Sequence, residues 1–368
     1  MNKRIIAIAR KEFLHIIHDI RSLVIIFVMP VIMLVLFGYA LNLEIKNIDL
    51  AVFDYSKTPL SRKLINQFDA NKYFTVSYQN GSPKSIDSLF LSKRARAAII
   101  IDQNFAKKFE HSQQTPIQLV IDASDPNAAS FIKIYCNGVI NDFNETHNAN
   151  LHLPFEVKQR IWYNPDMRSA YFFVPGLIAL ILIMISALLT SITITREKEM
   201  GTMEQILVSP VRPNEIIIGK VLPYILLAFL DGLMILLLGV LIFDVPFQGS
   251  YLLLIFLSLI FLVTALSFGL MISTLVSTQQ VAMMLALSAT LLPTVMLSGF
   301  IFPLNSMPVF LQYLSYLVPA KYYITIIRGV MLKGNTLWQL IMPALFLLIL
   351  SAVMLRNALH RFNLNLEK

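Results

Sequence analysis

The chain has 368 residues, of which 56% are hydrophobic and 14% are charged, and its mean hydropathy is +0.67. Soluble proteins carry about a quarter charged residues, so this composition excludes an ordinary soluble domain and indicates an integral membrane protein. The formal net charge of +8 comes from basic residues that are scattered or flank apolar runs, which argues against a nucleic-acid partner. The single cysteine, Cys136, excludes an intrachain disulfide and a cysteine-based metal site.

The N-terminal segment, residues 1–21, predicts an amphipathic helix that lies flat at the headgroup layer of a membrane. Apolar side chains recur at helical spacing, and basic and histidine side chains take the other face. Residues 22–41 follow as an apolar run of about 20 residues, long enough for a first transmembrane helix. The basic residues before this run predict a cytoplasmic N-terminus.

Residues 42–170 are not membrane-like and predict an inserted extracytoplasmic α/β domain with a largely parallel or mixed sheet. Runs rich in β-branched and aromatic residues predict four strands, at Ile48–Asp54, Tyr73–Tyr78, Ala95–Asp102 and Ile117–Asp122. The segments between and after them predict helices at Pro59–Asp69, Ser82–Leu91, Asn104–His111 and Pro126–Asn148. No nucleophile-elbow or metal-site spacing occurs in this sequence, so we expect no enzyme.

Residues 171–356 predict five further spans, giving an α-helical membrane protein with six transmembrane helices. These spans are Tyr171–Ile194, Val221–Phe243, Tyr251–Leu275, Val281–Phe302 and Leu337–Leu355. Between the last two, residues 303–336 are interrupted by prolines and by Lys321 and Arg328, which predicts short outer-leaflet or re-entrant helices. Residues 357–368 form a cytoplasmic tail by the positive-inside rule.

A charged connection, residues 195–220, separates the second and third predicted spans. Its middle predicts a short amphipathic helix from Met200 to Leu207, which Pro210 and Pro213 would end. Taken alone, this pattern fits either a solvated connector or an element that binds a partner.

The same connection resembles the cytoplasmic signature of type-2 ABC exporter permeases. The resemblance rests on the run Glu197–Glu204 (EKEMGTME), on Ser209-Pro210, on Glu215-Ile216 and on Gly219-Lys220. It implies that this loop contacts a separate ATP-hydrolysing subunit. The residues that it implies for coupling are Arg196, Glu197, Glu199, Gly201, Thr202, Glu204, Ser209, Pro210, Glu215, Gly219 and Lys220.

The resemblance also implies the partners and the location. Family members pair two such permeases, identical or sister chains, with two ABC ATPase subunits in the bacterial inner membrane, and a periplasmic adaptor is a further candidate partner. Because the sequence has no P-loop, we expect this chain to bind no cofactor, with ATP and Mg²⁺ held by the partner. The expected cargo is an amphipathic drug-like or lipid-like molecule that is exported.

Asp231 is the clearest ionisable residue within a predicted span. We expect it to make a helix–helix hydrogen bond or to face a wet cavity, and the alternative is a proton-linked group. Two other functions therefore stay open, a proton-coupled secondary transporter that uses Asp231 and a membrane-anchored scaffold.

Overall fold

The computed structural model describes residues 2–41, 47–79, 83–110, 116–124, 126–147, 162–165, 168–201 and 213–366. The chain forms two compact units, one of Leu43–Arg160 and one of Met1–Asn42 with Ile161–Lys368. The α-helices are α1 (Asn2–His18), α2 (Ile20–Ala40), α3 (Pro59–Asp69), α4 (Ile86–Leu91), α5 (Phe105–Glu110), α6 (Pro126–His147), α7 (Ser169–Glu199), α8 (Pro213–Phe243), α9 (Tyr251–Leu275), α10 (Gln279–Leu297), α11 (Val309–Ser315), α12 (Pro319–Lys333) and α13 (Leu337–Leu366). The strands are β1 (Ile48–Asp54), β2 (Phe74–Tyr78), β3 (Ala97–Ile101) and β4 (Gln118–Ile121).

The smaller unit is a mixed four-stranded sheet with helices on both faces. The strand order is β2-β1-β3-β4, in which β1 runs parallel to β2 and β3, and β4 runs antiparallel to β3. Helices α3, α5 and α6 cover one face, where Leu50 and Val52 of β1 are buried, and α4 covers the other, where Phe53 is buried. Alternating side chains of β1 therefore fill two separate cores.

Helix α3 begins at Pro59, as the sequence predicts, because of local capping. Thr58 accepts a hydrogen bond from the backbone N–H of Ser61, and Ser61 Oγ accepts one from the backbone N–H of Thr58. This reciprocal capping box satisfies two backbone donors that the helix itself cannot.

The larger unit is a helical bundle with α7 at its centre. Helix α7 packs against α2, α8, α9, α10 and α12, and its residues from Phe173 to Ala187 are buried. A Cβ atom at Gly269 of α9 would lie 2.3 Å from the carbonyl oxygen of Ala187, so the two backbones are in direct contact there. Glycine is the residue that permits this approach.

Among the described residues, five helices are long and apolar enough to cross a membrane. They are Ser169–Glu199, Glu215–Phe243, Tyr251–Leu275, Gln279–Leu297 and Leu337–His360. Helix α2 contributes a shorter apolar stretch, Ile26–Ala40. The first of the six predicted spans, residues 22–41, therefore stays a prediction.

The N-terminal helix α1 does not present one uniform apolar face. Ala9 and Ile16 are buried and α1 packs against α8, whereas Ile6 and Ile17 are exposed. The helix ends at His18, and α2 begins after the single non-helical residue Asp19. Its placement at the headgroup layer remains a prediction.

The connection between the second and third predicted spans is shorter than residues 195–220. Helix α7 continues through Glu199, and α8 begins at Pro213. Met200 caps α7 instead of starting the predicted amphipathic helix, and the rest of that prediction lies outside the described residues. Pro213 is the first residue of α8, a position that suits proline because the first helical turn has no use for the N–H that proline lacks.

Two further predictions, both for residues 281–336, are wrong. The predicted span Val281–Phe302 ends early, because α10 stops at Leu297 and the chain turns at Gly299, which has a φ of 77°. Lys321 and Arg328 do not interrupt helical structure, since both lie within the continuous helix α12. Their partners, described below, explain why charged residues are tolerated there.

Candidate functional site

The ends of α7 and α8 that flank residues 200–212 are joined by an ion pair. Lys220 Nζ of α8 pairs with Glu197 Oε1 of α7, and the two side chains are only 6% and 19% exposed. A pair this sheltered from water is screened much less than a surface pair. It holds the last turn of α7 against the start of α8.

The next two residues join α7 to α9 and α10. Lys198 Nζ donates a hydrogen bond of 2.6 Å to the carbonyl oxygen of Ser273, near the end of α9. Glu199 Oε2 accepts bonds from the backbone N–H of Gln279 (3.0 Å) and from its Nε2 (2.8 Å). Thr278 makes no side-chain cap for α10, so Glu199 supplies the acceptor that the start of this helix needs.

Helix α1 joins the same region through buried polar contacts. Tyr224 of α8 donates to Glu12 Oε1 of α1 over 3.1 Å, and its hydroxyl oxygen lies 2.7 Å from Thr193 Oγ1 of α7. Arg4 Nη1 lies 3.9 Å from Glu215 Oε2, whose side chain is buried. Side chains of α1, α7 and α8 thus meet in one chain of polar contacts.

Close packing accompanies these contacts. A Cβ atom at Gly219 would lie 2.8 Å from Cβ and Cγ2 of Ile8, so only glycine lets α1 approach α8 this closely. We call the polar set the connection cluster: Arg4, Glu12, Thr193, Glu197, Lys198, Glu199, Glu215, Lys220 and Tyr224.

The structure brings together part of the predicted coupling set. Glu197, Glu199, Glu215 and Lys220 belong to the connection cluster, and Gly219 packs beside it. Arg196 is exposed. Gly201 has a φ of 69° with no atom near its missing Cβ, a left-handed conformation that favours glycine. Four predicted residues lie outside the described part of the chain: Thr202, Glu204, Ser209 and Pro210.

Sequence reasoning missed Glu12, Tyr224 and Thr193. A signal for Glu12 existed, because it shares helical spacing with the apolar residues Ala9 and Ile16 and so lies on the buried face of α1. No comparable signal marks Tyr224 or Thr193, since both residue types are common in membrane-spanning helices.

At the opposite end of α7, one arginine donates to several main-chain carbonyls. Arg328 of α12 donates to the carbonyl oxygens of Phe172 (2.9 Å), Gly299 (2.9 Å) and Phe300 (3.1 Å). Its guanidinium lies 3.8 Å from the ring centroid of Phe172. A Cβ atom at Gly176 would lie 2.3 Å from the ring of Phe300, so this end is also closely packed.

The second charged residue of α12, Lys321, is also satisfied locally. Its Nζ donates to Ser315 Oγ over 2.9 Å and lies 3.6 Å from the ring centroid of Tyr316. Such hydrogen bonds and cation–π contacts offset the desolvation of a lysine, so α12 continues through it.

Asp231 does not make the expected helix–helix hydrogen bond. Its exposure is 0%, and neither carboxyl oxygen has a hydrogen-bond partner among the described residues. The alternative expectation, that Asp231 faces a wet cavity, stays a prediction. An apolar cleft between α7, α8, α9 and α12 is lined by its neighbours Phe229, Gly232 and Leu233 but not by Asp231 itself.

Comparison with known proteins places this chain in a family. The family described as "ABC-2 family transporter protein" matches residues 20–359. The chain is 33% identical to "Probable multidrug ABC transporter permease YbhS" of Escherichia coli strain K12, over 96% of this chain and 94% of that protein. It is 30% identical to "Probable multidrug ABC transporter permease YbhR" of the same organism, over 93% and 95%. It is 23% identical to "ABC transporter G family member 20" of Dictyostelium discoideum, over 94% of this chain and 48% of that protein.

Proposed function

Because the chain belongs to the ABC-2 family of transporter proteins, we propose that it is the permease subunit of an exporter driven by a separate ATPase subunit. The observation that carries the proposal is the connection cluster. It joins the helix ends that flank residues 200–212, the middle of the connection 195–220 that the family resemblance assigns to the ATPase. Met200, at the start of that loop, is 64% exposed and so accessible to a partner.

The cluster gives this loop a mechanical role. The last turn of α7 is bonded to α8, α9 and α10 through three consecutive residues, Glu197, Lys198 and Glu199. Because α1 is bonded to α8 in the same region, and Tyr224 links it to Thr193 of α7, a displacement of the loop would act on five helices together. A partner that moves on ATP hydrolysis would thereby move the bundle and not a single helix.

The remaining subunits follow from the same family membership. The partner ATPase would hold ATP and Mg²⁺, since this sequence contains no P-loop. A second permease, identical or a sister chain, would complete the pathway, and a periplasmic adaptor is a further candidate. In this arrangement the chain has six spans in a bacterial inner membrane, both termini are cytoplasmic, and the sheet unit lies outside the cytoplasm.

The proposed cargo is an amphipathic drug-like or lipid-like molecule. Two relatives carry "multidrug" in their names. The cleft between α7, α8, α9 and α12 supports this class, because it is lined mainly by Leu, Ile and Phe and holds one hydroxyl pair. The oxygens of Ser258 and Tyr323 in that pair lie 2.7 Å apart. Apolar walls with few polar groups suit amphipathic ligands.

Copurification of the ATPase with the permease tests the proposal. Glu204→Lys reverses one charge in the loop, and if the carboxylate meets a basic group, binding should weaken by about 1–3 kcal/mol, a loss of about 5- to 150-fold. Glu145→Lys makes the same reversal on the exposed surface of α6 and should leave recovery of the ATPase unchanged.

ATP-driven transport should fall with recovery of the ATPase in the Glu204→Lys protein. If several simultaneous substitutions in the loop, including Gly201 and Glu204, left recovery and ATP-driven transport at the wild-type level, the assignment would be wrong.

A further inference from the structure

Asp231 is a carboxyl group enclosed in the middle of α8 without any partner that would stabilise its charge. It is fully buried, and among the described residues neither oxygen accepts a hydrogen bond or meets a cation. In an apolar interior an isolated carboxylate is very costly, and a neutral carboxyl is less so. The enclosure itself therefore favours the protonated form.

The neighbours of Asp231 on α2 can be located from two contacts. Ile26 packs in one cluster with Tyr224, and a Cβ atom at Gly38 would lie 2.3 Å from Cζ of Phe243, so α2 and α8 run in the same direction. By interpolation Asp231 lies beside the turn of α2 that ends at Pro30. Because Pro30 has no N–H, the carbonyl of Ile26 lacks its usual helical donor.

The neighbours on α7 follow in the same way. Thr193 contacts Tyr224, and Leu182 contacts Gly232, so α7 and α8 run antiparallel and Ser186 lies within about one turn of the depth of Asp231. Ser186 Oγ is buried and also has no hydrogen-bond partner among the described residues. The carboxyl and the hydroxyl thus lie at a similar depth in the bundle, beside the turn of α2 in which Pro30 removes one helical hydrogen bond.

One titratable group outside α8, Tyr323 of α12, lines the cleft that Gly232 and Leu233 also line, and the others are distant along the helices. Along α8 the next toward Pro213 is Tyr224, about 10 Å away along the axis, and there is none before Asp244 in the other direction. Glu12 of α1 is bonded to Tyr224. The facing stretches without titratable residues are 23–38 of α2, 172–195 of α7, 252–275 of α9 and 337–355 of α13.

We propose that Asp231 is a proton-binding site within the bundle, occupied in this conformation and emptied when α8 shifts against α2 and α7. The proton sits on one carboxyl oxygen, and its release to water leaves a carboxylate that is stable only where water or a donor can reach it. Asp231 is fully enclosed, and a proton can bind there because it needs no added volume. A larger cation would need several oxygen ligands or a cavity.

The site would couple protonation to movement of α8. Lys220 of the connection cluster and Asp231 lie on the same helix, about 16 Å apart along its axis. A displacement at the connection therefore reaches the proton site through a rigid element. The inference does not rest on the ATPase partner, because it concerns the carboxyl of this chain alone.

Infrared spectroscopy of the purified full-length chain in a lipid bilayer tests both halves of the proposal. A protonated carboxyl has a carbonyl band distinct from the bands of a carboxylate. We expect this band at about pH 7, where an ordinary aspartate is ionised. Uniform ¹³C-aspartate labelling should shift it, which distinguishes Asp231 from the buried Glu12 without any substitution. Transfer to D₂O should then shift it again, since opening of α8 lets the proton exchange.

Asp231→Asn should abolish the band, whereas Asp244→Asn, which removes an exposed carboxyl at the end of α8, should retain it. The absence of an aspartate carboxyl band at about pH 7 would overturn the assignment of a bound proton. A band that stays unshifted in D₂O while the protein remains folded would overturn the exchange.

Discussion

The two ends of α7 are held in different ways. At the Glu199 end, charged and polar side chains of α1, α7, α8 and α10 contact one another, as in the pair of Glu197 with Lys220, and Lys198 also reaches a main-chain carbonyl of α9. At the Ser169 end, Arg328 donates to main-chain carbonyls, and glycines admit aromatic rings. Side-chain pairs can be exchanged one at a time, whereas a single arginine bonded to three main-chain carbonyls releases them only when whole helices move. The first end therefore suits a moving joint and the second a fixed one.

Replacing Arg328 tests the fixed end and should have the largest effect. Arg328→Met removes the donors to three carbonyl oxygens and leaves those carbonyls desolvated. Since an unsatisfied buried polar group costs about 1–3 kcal/mol, we expect a loss of about 3–5 kcal/mol in the free energy of unfolding. Denaturant titration of the purified chain in mixed detergent measures it.

Arg328→Lys is the matched control for charge. Lysine keeps the positive charge but cannot present the planar fork that reaches several carbonyls at once. It should recover less than half of the lost stability. Full recovery would show that charge, and not the hydrogen-bond geometry, holds this end.

Breaking the ion pair tests the moving end and should have a smaller effect. Lys220→Met removes the cation beside Glu197, and because both side chains are sheltered we expect a loss of about 2–3 kcal/mol. The double variant Lys220→Met/Glu197→Gln should regain most of that loss in the same titration. A loss in the double variant equal to the sum of the Lys220→Met and Glu197→Gln losses would mean that the two groups are not coupled.

Two glycine substitutions separate packing from intrinsic helix propensity. At Gly219→Ala the new Cβ would collide with Ile8, so we expect a loss of about 1 kcal/mol and weaker docking of α1. At Gly138→Ala in α6 the new Cβ meets nothing within 4 Å, so we expect a gain of about 0.5–1 kcal/mol. The thermal unfolding midpoint should fall for Gly219→Ala and rise for Gly138→Ala. A rise in both variants would refute the close contact at Gly219.

The smallest effect belongs to Glu199→Gln. The carboxylate is exposed and an amide oxygen can still accept from the backbone N–H of Gln279. We expect no measurable change in the thermal unfolding midpoint. A clear drop would show that the charge of Glu199, and not its acceptor oxygen, holds the start of α10.

Local signals made the sheet unit predictable. The bounds of β1 and α3 agree with the sequence prediction, and the other strands differ by one or two residues, because β-branched runs and a capped proline mark them directly. The sequence did not determine whether the sheet is parallel or mixed, since the antiparallel pairing of β4 with β3 depends on long-range contacts.

Tertiary contacts decided what the sequence could not. Helix α7 extends to Glu199 because its last charged residues find partners on other helices, and α12 passes through Arg328 because the backbone of two other segments accepts its donors. When only the sequence is known, a charged residue is interpreted as the end of an apolar helix. The same residue with a partner from a distant segment does not end the helix.

Cross-linking tests most directly whether the ATPase binds at the α7–α8 connection. In a Cys136→Ser background, Met200→Cys places a thiol at the connection, and Tyr251→Cys places one at the opposite end of the bundle, at the start of α9. The two native residues are 64% and 62% exposed, so access of the reagent is matched. We expect a short thiol–amine cross-linker to join the ATPase to the Met200→Cys protein and not to the Tyr251→Cys protein. Cross-linking from position 251 with none from position 200 would contradict it.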